Sequence, residues 1–252
     1  MPSCPLNRFY SPAQCARYYE AISSRYSCRA FASSPDSGEL SALNYAAARV
    51  CLPGTRIVIS ECDDRLFFGI PLAERIHGTE KCAYVIAQKG AENPKLLAGI
   101  GGEALVLEAA AMGLNSCWVT GTYRRHEIRQ ELLQDGERLI AVIALGHAEM
   151  PQERIIRHRK SMAQICLSAP EKWPLWAYHA AEAVRIAPSA VNLQPWRLSY
   201  AQRSLRLMGK NPNNVDFGIA LMHMEAAAGA YKRYWEWGSD GCVAHLTVED
   251  KA

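Results

Sequence analysis

The chain has 252 residues, 49% hydrophobic and 21% charged, with a formal net charge of +3. That length suits one large α/β domain or two small ones, and the composition is that of a globular protein rather than a disordered one. The weak positive charge argues against nucleic acid or an anionic membrane as partner, and no apolar run approaches the roughly 18 residues of a bilayer span.

The first eight residues lack the apolar core of a secretory signal. Nine cysteines, an odd number without a Cys-x-x-Cys pair, argue against a disulfide framework and a structural zinc site. The seven histidines are equally dispersed. The cysteines are expected to be reduced, packed residues of a cytoplasmic protein that holds no metal.

In chain order, Ser11-Pro12 is a hydroxyl cap followed by proline in the first turn, and predicts a helix over 14–22. Arg25 and Arg29 flank Ser27, so two guanidinium groups and a hydroxyl could grip an anion; a solvated basic turn has the same composition. Asp36 and Glu39 form a capping box for a helix to about residue 50, ended by Leu52-Pro53-Gly54, and 55–60 alternates as a strand. Residues 61–81 are polar and irregular apart from 66–70, and suit a lid, a binding loop or an insertion.

A strand follows over 82–87. Residues 100–114 are apolar on nearly every face and predict a buried central helix. Gly99, Gly101 and Gly102 do not make a dinucleotide fingerprint, because no strand precedes them and the spacing is wrong. A strand over 116–120 ends at Gly121, a more polar helix is expected over 123–133, and 139–146 is the strongest strand signal.

Arg154, Arg157, His158, Arg159 and Lys160 then cluster within seven residues, which as composition alone is a solvated basic face and a weak pointer to nucleic acid. An alanine-rich helix over 173–186 is stopped by Pro188, and a short apolar strand starts at Trp196. Ser189, Asn192 and Gln194 sit between the prolines at 188 and 195. Held on a rigid connection, their groups suit a planar, polar-edged ligand; a proline-stiffened turn whose Ser and Asn satisfy their own backbone is the alternative.

Pro188-Ser189-x-x-Asn192-x-Gln194-Pro195-Trp196 resembles the flavin-contacting motif of the nitroreductase family of FMN-dependent NAD(P)H oxidoreductases. Arg25-x-Ser27-x-Arg29-x-Phe31 is similar, position by position, to the family stretch that holds the FMN phosphate. Arg159 and Lys160 resemble its basic pair after the last core strand, with the register open by one or two residues.

The second half also echoes the first. Gly218 to Gly229 resembles Gly102 to Gly113, and the helix ending at Pro188 resembles the helix ending at Pro53. The separations are 135 residues for the prolines and 116 for the glycines, so the second copy is shorter by 19. Two alanine-rich helices can be alike by chance, but the order of elements agrees as well. The resemblance is therefore closest to the TM-type branch of the family, a fused pseudo-dimer in one polypeptide.

That resemblance implies an α/β (α+β) nitroreductase-like fold, an antiparallel-rich sheet packed with central buried helices in two pseudo-symmetric halves, 1–165 and 166–252. FMN would lie between the halves, its phosphate on Arg25, Ser27, Arg29, Arg159 and Lys160. Pro188, Ser189 and Asn192 would border the ring and ribityl chain, and backbone groups at Thr120 and Gly121 would face the hydride-accepting nitrogen. Hydride would pass from NAD(P)H to a small acceptor such as a nitroaromatic or quinone, with one FMN per chain and a monomer competent to bind it. A flavin store or sensor without turnover would carry the same motifs.

Overall fold

In the computed structural model, residues 4–69, 74–128, 130–150 and 158–249 are described. Helix starts follow the capping chemistry written in the sequence. Ser11 opens α1 (Pro12–Ser24), its hydroxyl accepting from the Gln14 backbone at 3.3 Å while Gln14 Oε1 accepts from the Ser11 backbone at 3.1 Å. Asp36 opens α2 (Ser37–Val50) through the same reciprocal pair with Glu39, both bonds 2.8 Å. The expected central helix is α3 (Pro94–Ala111), which starts earlier than its apolar run because Pro94 supplies the first turn.

The remaining helices are the short α4 (Met162–Ile165), α5 (Leu175–Ile186) and α6 (Val215–Ala228). None of the described helices is long and apolar enough to cross a membrane.

The strands are β1 (Phe31–Ser33), β2 (Thr55–Glu61), β3 (Lys81–Gln88), β4 (Asn115–Val119), β5 (Glu137–Ala148), β6 (Arg197–Ala201), β7 (Ser204–Met208), β8 (Arg233–Trp237) and β9 (Cys242–Val248). They form two antiparallel sheets with the same strand order. One runs β2-β3-β5-β4, with β1 on the far end of β5; the other runs β6-β7-β9-β8. The ladder row Ile59–Ala83–Ile143–Trp118 has Tyr200–Leu205–Leu246–Trp235 as its counterpart. A tryptophan thus holds the same place on the last strand of each sheet.

Between the sheets α3 crosses α6 at backbone contact distance. A Cβ built on Gly99 would come within 2.4 Å of the Val215 carbonyl oxygen, and one on Gly218 within 2.1 Å of the Leu96 carbonyl oxygen. Only glycine permits so close an approach. Both helices are buried along nearly their whole length, which explains why neither sequence shows a polar face.

One expectation is corrected, and a segment that the sequence left open is placed. The described residues of 123–133 do not form the expected α-helix: they make two short 3-10 turns, Arg125–Glu127 and Gln130–Leu132. Ile128, Leu132 and Leu133 instead pack on the second face of the first sheet, so tertiary burial overrides the helical spacing. The described residues of the 61–81 segment cover that face, burying Leu66, Phe67 and Ile76 against Tyr84, Ile86 and Val142. Backbone bonds from Arg124 to Leu66 (2.8 Å) and from Phe68 to Thr122 (3.2 Å) join the two covering segments.

The connections differ in length between the two sheets, since β2 and β3 are joined by residues 62–80 but β6 and β7 by Gln202 and Arg203 alone.

The helix crossing generates a prediction. Gly218→Ala should destabilise the protein by about 1–3 kcal/mol through overpacking, whereas Gly90→Ala, whose Cβ would meet nothing within 4 Å, should be neutral. Urea unfolding monitored by circular dichroism checks both.

Candidate functional site

The sequence-predicted residues fall into two clusters. The first is built along β4. Arg25 ends α1, donating its backbone N–H to Ala21 at 3.0 Å, and the chain then runs parallel to β4, with Ser27 bridged to Ser116 and Cys28 N–H bonded to Ser116 at 2.9 Å. Arg25 is buried and Arg29 half-buried. Burial raises the thiol pKa of Cys117 on β4, and the positive charges of Arg29 and Arg25 both act to lower it, so both guanidinium groups are within electrostatic reach of that thiol. Thr120 and Gly121 follow directly on β4, both exposed, and a Cβ on Gly121 would meet nothing within 4 Å.

The second cluster joins residues some thirty positions apart. Arg159 Nη1 donates to Asn192 Oδ1 at 2.9 Å and Asn192 Nδ2 donates to the His158 carbonyl at 2.9 Å. Lys160 Nζ donates to the carbonyls of Leu193 (2.7 Å) and Gln194 (3.0 Å), and its backbone N–H to Gln194 Oε1 at 2.8 Å. The basic pair is therefore docked on the Pro188–Pro195 connection. Arg154 and Arg157 lie outside the described residues.

Within that connection Ser189 Oγ accepts from the Gln194 backbone at 2.8 Å, and Asp216 Oδ1 accepts from the Ala190 backbone at 3.1 Å. Burial raises the pKa of Asp216, partly offset by that bond. The polar side chains thus do satisfy neighbouring backbone, as the turn reading of the sequence anticipated. The loop is nevertheless strained: Val191 (φ 44), Asn192 (φ 55) and Gln194 (φ 47) are all left-handed, a costly state for β-branched valine. Val191 and Leu193 point to solvent. None of the ten candidate residues lines either of two cavities of about 450 and 380 Å³.

Sequence reasoning missed the buried polar chain between the clusters. Trp118 Nε1 on β4 donates to Glu103 Oε2 at 2.7 Å, Glu103 Oε1 meets His223 Nε2 at 2.9 Å, and His223 Nδ1 meets the Ala183 carbonyl at 2.8 Å. Glu103 and His223 are 0% exposed. The chain links β4, which leads into Thr120, to α5, which leads into Pro188. In the second half Trp235 Nε1 likewise donates to a buried glutamate, Glu225 (2.7 Å), which is also held by Arg233 Nε at 2.8 Å. The only sequence signal was a charged or polar residue inside a helix apolar all round.

Removing one member of a buried pair leaves the other uncompensated, at a cost of about 3–5 kcal/mol. His223→Leu is therefore expected to lose stability on that scale, and adding Glu103→Gln, which removes the stranded charge, should recover part of it. A double-variant cycle by denaturant unfolding measures the coupling; additive effects would contradict the pairing.

The family described as "Putative TM nitroreductase" matches residues 17–228. No curated protein matches the chain. A putative nitroreductase of Thermotoga maritima is similar in structure at 20% identity and a TM-score of 0.65, over 92% of this chain and 93% of that one, a likeness that speaks for the fold. A putative NADH dehydrogenase/NAD(P)H nitroreductase of Parabacteroides distasonis (21% identity, TM-score 0.48) covers 59% of this chain and 96% of its own. A nitroreductase with bound FMN from Desulfitobacterium hafniense (17%, TM-score 0.41) covers 56% and 98%. Scores this low carry no argument about ligands. The match over most of the chain, on a fold shared from end to end with the Thermotoga protein, shows that this chain belongs to the TM nitroreductase family, a family of oxidoreductases.

Proposed function

We propose that the chain is a flavin oxidoreductase that binds FMN between its two sheet-and-helix halves and transfers hydride from NAD(P)H to a small acceptor such as a nitroaromatic or quinone. The observation that carries the reading is the docking of Arg159 and Lys160 on the connection that holds Pro188, Ser189 and Asn192. Two motifs that resemble separate parts of one flavin site are in direct contact.

The donor set fits the cofactor. Arg25, Ser27 and Arg29 offer two guanidinium groups and a hydroxyl along one strand edge, the chemistry a phosphate dianion requires. Pro188, Ser189 and Asn192 offer a rigid, strained edge of fixed donors and acceptors for the ring and ribityl chain. Backbone groups at Thr120 and Gly121 stand beside the phosphate cluster in open space. When bound, FMN supplies the redox chemistry; the protein binds, orients and tunes it. No side chain is required as acid or base. On this reading residues 1–165 carry the phosphate site, residues 166–252 the Pro-Ser-x-x-Asn edge, and one chain completes one site without a partner.

Protein purified with FMN and desalted should retain a flavin absorption band and oxidise NAD(P)H when given a quinone. Retained flavin without NAD(P)H oxidation would instead mark a store or sensor, and a colourless protein that FMN does not titrate would remove the proposal. Arg29→Ala should weaken FMN binding roughly ten- to hundredfold, since a charge-assisted bond contributes about 1.5–3 kcal/mol. Quenching of flavin fluorescence on titration of apo-protein reads the change.

A further inference from the structure

The 380 Å³ cavity lies where the second sheet repeats the first. Trp118 and Trp235 occupy equivalent ladder positions, so Trp237, two residues on, stands where Thr120 stands in the first half. Pro53 and Gly54 close α2 as Pro188 and Ser189 close α5. Trp237, Pro53 and Gly54 together line this one cavity, with Gln88, Glu92 and Asn93 around them. The strand end of one half and the helix-end turn of the other therefore enclose a space, related to the first site by the internal repeat.

The chemistry of this space differs from that of its twin. The edge along β8 that would correspond to Arg25–Arg29 along β4 is taken by the Pro5–Arg8 turn, where Asn7 exchanges hydrogen bonds with the Trp235 backbone, donating from Nδ2 to its carbonyl at 2.9 Å and accepting its N–H at Oδ1. Among the described residues that line the cavity there is no lysine or arginine, and the one charged side chain is the carboxylate of Glu92. A half-buried indole offers a stacking face, two carboxamides and the carboxylate offer acceptors, and none of the described lining residues offers a cationic grip for phosphate. Gly54 is at φ +74 with Ala91 only 2.8 Å from where its Cβ would be, so this turn has no room for a side chain.

We propose that this cavity is a second ligand site, for a small planar aromatic molecule that carries amino or ring N–H donors and no phosphate. The site is independent of the flavin reading: it needs the cavity and Trp237, and not FMN at the other position.

The test uses the full chain in the presence of saturating FMN, with 2-aminopurine as probe. Stacking on Trp237 should quench the probe's fluorescence in a saturable titration, without release of any bound flavin. Trp237→Ala should raise the dissociation constant roughly five- to hundredfold, while Trp237→Phe, which keeps an aromatic face, should bind within a few-fold of the parent. Glu92→Lys, an exposed change, should weaken binding several-fold by replacing an acceptor with a donor. Circular dichroism confirms that each variant is folded. No saturable quenching at millimolar probe, equal affinity in Trp237→Ala and the parent, or competition between probe and FMN would each overturn the assignment. Loss of FMN binding in the parent with intact probe binding would defeat the flavin proposal and leave this one standing.

Discussion

The crossing of α3 on α6 is the constraint on which the rest of the structure depends. With Gly99 and Gly218 at the contact, the helix backbones touch and water is excluded from the seam. A polar group in such a seam must find a partner there, and Glu103 finds His223 from the other half and Trp118 from its own sheet. That pairing fixes both register and rotation of the two helices. β4 follows α3 closely in the chain, and the start of α6 holds the Pro188–Pro195 connection through Asp216. The placement of both candidate clusters therefore follows from one helix crossing.

The two halves share a strand order but not a surface. The first sheet is covered on its second face by Leu66, Phe67 and Ile76 and by the turns after Tyr123, which make a separate apolar cluster there. The second sheet has no such insertion, and its outer row, Ser199, Arg206, His245 and Glu236, is polar across all four strands. An antiparallel sheet tolerates one wet face, so the shorter half folds without a cover. Burial and the neighbouring Arg206 both lower the pKa of His245 on that row, against a smaller opposing effect of Glu236.

Much of this was legible from the sequence because the relevant signals are local. Capping boxes at Ser11 and Asp36 start helices where expected, Pro53 and Pro188 follow helices, and the run from Ile100 is buried as its composition demands. Alanine-rich helices and paired prolines suggested an internal repeat, and the two sheets share a strand order. Long-range pairings were not readable. Nothing local marks Glu103 as the partner of His223, 120 residues away, and covering residues such as Leu66, Phe67 and Ile76 follow the contour of a sheet rather than any period. The 123–133 stretch misled because its apolar residues fit a helix, whereas Ile128 and Leu132 are drawn to the sheet face. In the candidate site, the residue types of both motifs were readable, but the docking of Arg159 on Asn192 was not, since it depends on how the chain returns after β5.

The proposed flavin site requires that one chain, by folding its two halves against each other, complete a single site. Ordinary symmetric dimers build two equivalent sites from two copies of each motif. This sequence has one Arg25-x-Ser27-x-Arg29 stretch and one Pro188-Ser189 turn, and its repeat offers Gly54 and Trp237 in place of Ser189 and Thr120. The most direct measurement is the flavin released per polypeptide on denaturation, taken with the mass of the holo-protein by light scattering over a dilution series. The account predicts one FMN per chain, retained at monomer mass. Two flavins per chain, or flavin lost as the protein dilutes to monomer, would contradict it.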